Sequence, residues 1–462
     1  DSRGYPRRDG AVEPARGPAL SPPLIQQLVA AGLSAAEAAR KQVLFERAAA
    51  ALGAEIRPTD PPSDRPTVAA WFVPGRIELL GKHTDYAGGR SLLCAVERGF
   101  CVVARARPDA GLHVVDAVSG ARAVLSLAGP AEQRGWAVYP ATVARRLLRD
   151  FGITRGVELS FASDLPLAAG LSSSSALCIG VFFALGAANT LEQSPAYRLL
   201  IPDRFALAGY LGAVENGRPF GPFAGEAGVG TLGGSQDQTA ILCAIPGELV
   251  QFSFDPVRFE RRLAFPPGYS LVVATSGVPA EKTAGARLAY NAAAEAVREI
   301  QRRWRRATGR DDLTLAAAVA SSADARERLR ALVTGDPVLE ARLEQFIRES
   351  EELVPRAGDA LAGGDLAAFG GLVDRSHAGA ERGLRNQVPE TLHLQRSARK
   401  LGALAASAFG AGFGGSVWAM LESARAAGFL ERWRADYAGA FPGPAESAQF
   451  FTTRPGPAAL RL

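Results

Sequence analysis

Apolar and polar positions follow two regimes along the chain. Between residues 67 and 162, short apolar and β-branched runs recur at 67–73, 77–80, 92–96, 101–106, 112–118, 123–127 and 157–162. Runs of this length bounded by Gly, Pro and Asp read as strands. Pro74-Gly75 predicts a break between the first two. Helical spacing marks 24–52, with a break at 32–34, and then 137–151, 172–188, 202–215, 290–308, much of 311–405, and 424–440. Further strands are predicted over 271–275, 416–421 and 448–452. Ser34 followed by Glu37 is a capping-box pattern for the second helix. Strands crowd the first half, helices the second, and the chain ends β–α–β. That order predicts an α+β fold in two lobes rather than strictly alternating βα units. Residues 1–22 lack periodicity and read as a disordered lead, and 58–66, with four prolines, reads as a linker. Self-similarity at a period of 20–50 residues is absent.

Composition narrows the function classes. A chain of 462 residues suggests two or three domains or one large two-lobed unit. Hydrophobic residues make up 47% and charged residues 21%, so a core of ordinary size can form. Lys and Arg number 52 against 47 Asp and Glu. So small an excess gives no reason to expect nucleic-acid binding, which needs a concentrated basic face. The four cysteines, Cys94, Cys101, Cys178 and Cys243, form no CxxC or Cys/His spacing. They read as small buried hydrophobes in a reducing compartment. The longest apolar stretch, 176–188, falls short of the ~20 residues that cross a bilayer. No apolar segment follows the arginines of the first 18 residues, which argues against a signal peptide. The chain begins at Asp1 and has a single methionine, Met420, which leaves its true start open. The expectation is a cytoplasmic protein without a membrane partner, monomeric or weakly homo-oligomeric.

Two glycine motifs mislead. Gly75 to Thr84 resembles a Walker A loop, but five residues separate Gly75 from Gly81 and His83, not a hydroxyl residue, follows Lys82. The register that lets lysine and hydroxyl reach phosphate and Mg²⁺ is lost. GAGFGG at 410–415 matches GxGxxG literally, yet a strand rather than a helix is predicted after it, so a dinucleotide site is not expected.

Three segments carry chemistry. LPLAAGLSSSSA at 165–176 opens a small-residue loop directly into an apolar helix. The first amides of a helix are unpaired and lie at the positive end of its dipole, which suits an anion. Several hydroxyls there can donate to phosphate oxygens, and one can ligate Mg²⁺. An N-cap serine in a run of small residues is the plainer alternative. PGRIELLGKHTDYAGG at 74–89 is dense in polar groups, and His83 and Asp85 share a face of an extended segment. That suits sugar hydroxyls, and a polar hairpin loop would also explain it. GGSQDQ at 233–238 places Asp237 in a Gly-rich turn ahead of an apolar run, where an acid is most often a cap. Glu215 closes the preceding helix, at the end where the dipole disfavours an acid, a hint of a bound cation.

Together these segments resemble the GHMP kinase superfamily and, within it, the galactokinases. The stretch from Pro74 is similar to the signature PGR(V/I)NLIGEHTDYNGG, that from Pro166 to the phosphate motif PLGAGLSSSAS, and 410–415 to a third motif, GAGFGG. Glu215-Asn216 with Gly234 to Gln238 is similar to an EN…GIMDQ segment. Lys282 to Asn291, Phe369 to His377 and Pro389-Glu390 are weaker echoes. The likeness runs from about Thr67 to the end of the chain.

The resemblance implies a two-domain GHMP kinase fold. Residues 1–66 would precede a ribosomal-protein-S5-like lobe over 67–262 and a ferredoxin-like lobe over 263–462, with the active site between lobes. It also implies ATP-dependent phosphorylation of a monosaccharide at the anomeric hydroxyl, with Mg²⁺. Asp237 would be the catalytic base and Arg76 would stabilise charge. Lys82, His83, Asp85, Gly234 and Tyr290 would contact sugar. Gly170, Leu171, Ser172, Ser173 and Ser174 would hold the ATP phosphates, and Ser174 with Glu215 the metal. A non-catalytic sensor of sugar and ATP is the alternative, and Arg76, Ser174 and Asp237 favour an enzyme.

Two departures stand out. The signature's Glu after Gly81 is Lys82 here. In the family that Glu reaches toward the C6 hydroxyl, so the substrate is expected to be altered or acidic at C6, unless Lys82 points to solvent or pairs with an acid such as Glu226. Glu215 and Asp237 are 22 positions apart (215 to 237), about twice the spacing the resemblance implies. Residues 217–230 therefore read as an insertion, either a lid or a surface loop.

Overall fold

The computed structural model describes residues 23–53, 68–130, 132–279 and 284–462. The lead over 1–22 and the linker over 58–66 lie outside them. Twelve strands are seen among the described residues. They are β1 Ala69–Leu80, β2 Arg90–Ala106, β3 Gly111–Asp116, β4 Arg122–Ser126, β5 Val157–Ser163, β6 Glu248–Ser253, β7 Arg258–Ala264, β8 Tyr269–Thr275, β9 Ala405–Phe409, β10 Ser416–Glu422, β11 Phe450–Thr453 and β12 Leu460–Arg461. They form two sheets. The first runs β12-β1-β2-β5-β3-β4, with β6 on the N-terminal half of β2 and β7 beside it. The second is antiparallel, in the order β11-β8-β10-β9. β7, the last strand of the first sheet before the second begins, ends at Ala264, and β8 opens the second sheet at Tyr269. At the chain end β12 returns to pair with β1 in the first sheet.

Pro74-Gly75 does not end a strand. β1 runs through it on a register shift between Pro74 and Arg76. A bulge frees that stretch from the ladder, so the missing proline donor costs nothing there. β2 likewise joins two predicted strands into one. β6, β7, β9 and β12 were not predicted. β7, RFERRLA, is mostly exposed and lacks an apolar run, and β9, AASAF, is Ala-rich and reads as helix.

The helices begin with α1 Pro23–Ala30, α2 Ala35–Ala51, α3 Val138–Phe151, α4 Ser173–Ala188, α5 Pro195–Leu200, α6 Arg204–Glu215, α7 Gln236–Cys243 and α8 Ala284–Thr308. α1 and α2 cover one face of the first sheet, with Leu28 and Phe45 against Phe72, Cys101 and Val103. Only half of the capping box forms at α2. Ser34 Oγ accepts from Glu37 N, but the Ser34 amide donates to Glu97, 2.6 Å away, and Glu37 binds Arg40 and Lys41 instead. α3 and α4 lie on the other face, where most of the large core sits.

Between β8 and β9 the described residues are mostly helical. Its middle forms a block with its own core around Trp304, Leu315, Leu329, Leu343 and Phe346, which reaches Ala87 in the first lobe. Helices Pro389–Lys400 and Ala426–Ala440 pack Leu394, Phe429 and Trp433 on the second sheet. All four cysteines are free thiols, three of them fully buried. Among the described residues no helix is long and apolar enough to cross a membrane.

Candidate active site

β1 is buried along nearly its whole length, so its sequence is apolar almost throughout. Arg76 and Glu78 are the exceptions. Each is less than 4% exposed. They pair in regular register with Ala95 and Leu93 and so project from one face. Buried charges need partners. Arg76 finds Asp237, with Nη2 2.8 Å and Nε 2.9 Å from Oδ1. Its Nη1 donates to the Gly170 carbonyl and its amide to Leu171 O. Asp237 lies in the first turn of α7, where a carboxylate complements the dipole.

α4 opens at the same point. Its N-cap, Ser172, has φ 63°, a left-handed conformation rare for a residue with a side chain. Its Oγ is buried and has no hydrogen-bond partner among the described residues. Ala168 and Gly170 also have positive φ. A turn of this kind aims successive amides at one point and makes an anion site. Backbone strain of this order persists where the surroundings over-determine it. Behind the mouth, Glu215 is fully buried at the end of α6. Its Oε2 accepts from Ser175 Oγ at 2.7 Å and Gln238 Nε2 at 2.6 Å, and Ser174 Oγ lies 3.4 Å from Oε1. Ser174 and Glu215 thus supply two hard oxygens beside the anion site. That fits Mg²⁺, which takes one or two protein oxygens and fills its shell with water and substrate phosphate.

The excursion 217–230 does not separate these groups. Val229 N donates to Glu215 O at 2.8 Å and closes the loop at its base. Phe220 and Phe223 pack on the core, and Arg145, Arg146 and Arg149 hold its carbonyls. It is a pinned flap on α3 and α6 that reaches the cleft only at Val229.

The loop after β1 carries the other polar groups. His83 has φ 57°. Its Nε2 lies 3.1 Å from Ala411 O, and its Nδ1 3.0 Å from the Tyr86 hydroxyl. A neutral ring with its proton on Nε2 satisfies both contacts. Burial and the Arg342 guanidinium push its pKa down to about 4. Asp85 Oδ2 accepts from Gln236 N at 3.1 Å, and burial raises its pKa. Gly234 lies against that carboxylate: a Cβ there would sit 2.5 Å from Oδ2, so only glycine fits. The Tyr290 ring lies 5.1 Å from His83.

One helix holds this loop by its backbone. Helix Pro337–Phe346 continues through a π-turn, Ile347–Leu353. Arg342 Nη2 donates to His83 O, Gln345 Nε2 to Lys82 O, and Glu349 Oε1 accepts from the amides of Gly81 and Lys82. Residues three or four apart share a helix face, and a π-turn changes which residue comes next onto it. These clamp residues had no sequence signal, because nothing local marks a contact made across some 260 positions.

The three motif loops enclose a cleft of about 770 Å³. Arg76, His83, Asp85, Gly170, Ser172, Ser173, Ser174, Glu215, Gly234, Asp237 and Tyr290 all line it. Two expected site residues do not. Leu171 is core and offers only its carbonyl, to Arg76. Lys82 is turned inward, 1% exposed, with Nζ 3.8 Å from Glu78 and 3.4 Å from Ser376 Oγ. It faces neither solvent nor Glu226, which sits beside Arg149 on the flap. Sequence reasoning missed Glu78, Ser175 and an aromatic end of the cleft. There Trp136 meets Phe161 edge-on at 6.0 Å, with Tyr139 and Leu167 nearby. Flat apolar walls of that kind suit a nucleobase.

Known proteins are similar to this chain in sequence and fold. The galactokinase galactose-binding signature matches residues 63–106, the GHMP kinases N terminal domain 138–214, and the GHMP kinases C terminal domain 358–439. A galactokinase of Roseiflexus sp. is 27% identical over 374 residues, 80% of this chain and 86% of that protein. One of Chloroflexus aggregans is 29% identical over 369 residues, 79% and 87% of the two chains. Lactococcus lactis galactokinase, solved with galactose, superposes with a TM-score of 0.70 at 25% identity, covering 86% of this chain and 95% of that one. L. major mevalonate kinase, at 16% identity and a TM-score of 0.53, shares the fold. With these matches falling in order on the loops that build the cleft, the chain is a galactokinase-like protein similar to the GHMP kinases.

Proposed function

We propose that this protein transfers the terminal phosphoryl group of ATP to the anomeric hydroxyl of a monosaccharide. The observation that carries this reading is the Arg76–Asp237 pair, which faces the amide-lined mouth of α4 within one cleft. Phosphoryl transfer asks mainly for positioning and for charge neutralisation. The amides and hydroxyls of Ser172, Ser173 and Ser174 receive the phosphates. Ser174 and Glu215 would hold Mg²⁺, which would neutralise charge between the phosphates. His83, Asp85, Gly234 and Tyr290 surround the sugar. Asp237 orients the acceptor hydroxyl and takes its proton as the new P–O bond forms and ADP leaves. Arg76 pairs with Asp237 and faces the charge that develops on the transferred group. The inward turn of Lys82 supports a neutral sugar over one acidic at C6.

ADP release measured over a panel of hexoses, pentoses and uronic acids tests the reading. Turnover of at least one sugar, abolished in Asp237→Asn with nucleotide binding retained, is the expected result. A wild type that binds sugar and ATP but turns over no sugar would instead make the chain a sensor. The place of Lys82 is tested by kcat/KM on galactose and galacturonate, in the wild type and in Lys82→Glu. A wild type that prefers galacturonate would overturn the neutral-sugar assignment.

A further inference from the structure

Glu78 is a buried cleft-lining carboxylate for which the roles above have no use. It stands two residues from Arg76 on the same face of β1 and is 1% exposed. Its Oε1 is buried and accepts no hydrogen bond among the described residues. Lys82 Nζ, 3.8 Å away, is beyond hydrogen-bond reach and is directed at Ser376. The signature quoted earlier has Asn where Glu78 stands and Glu where Lys82 stands. In this chain, therefore, the carboxylate is on the strand and in the cleft wall, and the ammonium is behind it.

We propose that Glu78 is a specificity-determining residue, whose carboxylate accepts a hydrogen bond from a donor on the bound sugar, a hydroxyl or an ammonium. A buried carboxylate oxygen without a donor is costly, and a ligand that supplies one relieves that cost. The charged groups that face Glu78 are Arg76 and Lys82 from its own segment, Glu349 from the π-turn and Asp237 from α7. Burial among them pushes its carboxyl up to about 7, as expected for an anion short of solvation. The inference rests on the sugar-kinase reading above.

The test is steady-state kinetics at saturating ATP on D-galactose and its monodeoxy and monoamino derivatives, with the full chain, E78Q and E78M/K82M. The double variant removes both charges together, so no ammonium is left unpaired. The expected result is a KM for the preferred sugar raised roughly 10- to 100-fold in both variants, with kcat changed less. One monodeoxy sugar should carry the same loss on the wild type and lose nothing further on the variants. A merely structural role for Glu78 would not produce that coupling. If the amino derivative at that carbon is preferred, the donor is an ammonium; if the parent sugar is preferred, it is a hydroxyl. A wild type that turns over sugar, with KM ratios across the panel unchanged in the variants, overturns the Glu78 assignment and leaves the kinase reading intact. A wild type that neither turns over nor binds any sugar of the panel overturns both.

Discussion

Arg76 and Asp237 lie 161 positions apart in the chain, and their side chains meet at 2.8 Å. The contact joins β1 of the first sheet to the first turn of α7. It also sets the carboxylate opposite the open end of α4. Asp237→Asn keeps the shape and a hydrogen-bond acceptor for Arg76 but cannot take a proton. A fall in kcat on the order of 10²–10⁴ is expected, with a nucleotide-induced rise in Tm close to that of the wild type. Loss of nucleotide binding together with turnover would place Asp237 outside the proton-transfer role.

Gly234→Ala puts a methyl group 2.5 Å from Asp85 Oδ2, and 2.8 Å from the Tyr86 amide, so the loop around Asp85 has to shift. Such overpacking costs roughly 1–3 kcal/mol. The KM for sugar is expected to rise by at least about tenfold, while the KM for ATP changes little. Calorimetry and two-substrate kinetics read both effects.

The backbone clamp makes a similar forecast from the far side. Glu349 Oε1 accepts from two loop amides and from Ser376 Oγ. Glu349→Ala leaves those buried donors without a partner, at about 1–3 kcal/mol for each group. A lowered Tm and a raised KM for sugar are expected, with the ATP constant least affected. Equal loss for both substrates would count against a clamp that acts on the loop.

Proton linkage can be worked out for three buried groups. His83 and His377 are pushed down from 6.5 to about 4 and about 3, in each case mainly by burial. A group whose pKa is lower in the folded state contributes stability that is present above the unfolded value and lost as pH falls toward the folded one. Both histidines therefore weaken the fold as pH drops from 6.5 toward 4. Glu78 is raised from 4.5 to about 7, so its contribution is complete below 4.5 and is lost as pH rises through 7. Thermal midpoints between pH 4 and 8 should show a wild type steadier across 4.5–7 than E78Q, which lacks the opposing group. Identical profiles for the two proteins would contradict the shift assigned to Glu78.

The reach of the sequence is clearest residue by residue. LSSSSA was legible as a helix mouth because serines before an apolar run act through local backbone geometry, and Ser172 does sit there as the N-cap. Gly234 and Asp85 were legible as a polar pair of loops, though not that one excludes a side chain from the other. Glu215 was doubtful on spacing alone. The flap leaves and returns at one point, the Val229–Glu215 hydrogen bond, and Ser175 Oγ reaches both Glu215 and Asp237. Lys82 is the opposite case. Its charge was plain in the sequence and its direction was not, because Glu349 and Ser376 reach it from distant segments.

The chain's own order of residues determined the helix starts, the strand-rich first half, and the three glycine-bearing loops with their polar chemistry. All of these are short-range consequences of side-chain shape, periodicity and backbone freedom. Only the tertiary structure decided that β12 returns to the first sheet, that Arg342, Gln345 and Glu349 grip a loop some 260 residues upstream, and that Glu78 rather than Lys82 faces the cleft. The reason is that a side chain's direction and partners depend on which elements pack over it, and no local pattern encodes the neighbours that folding brings.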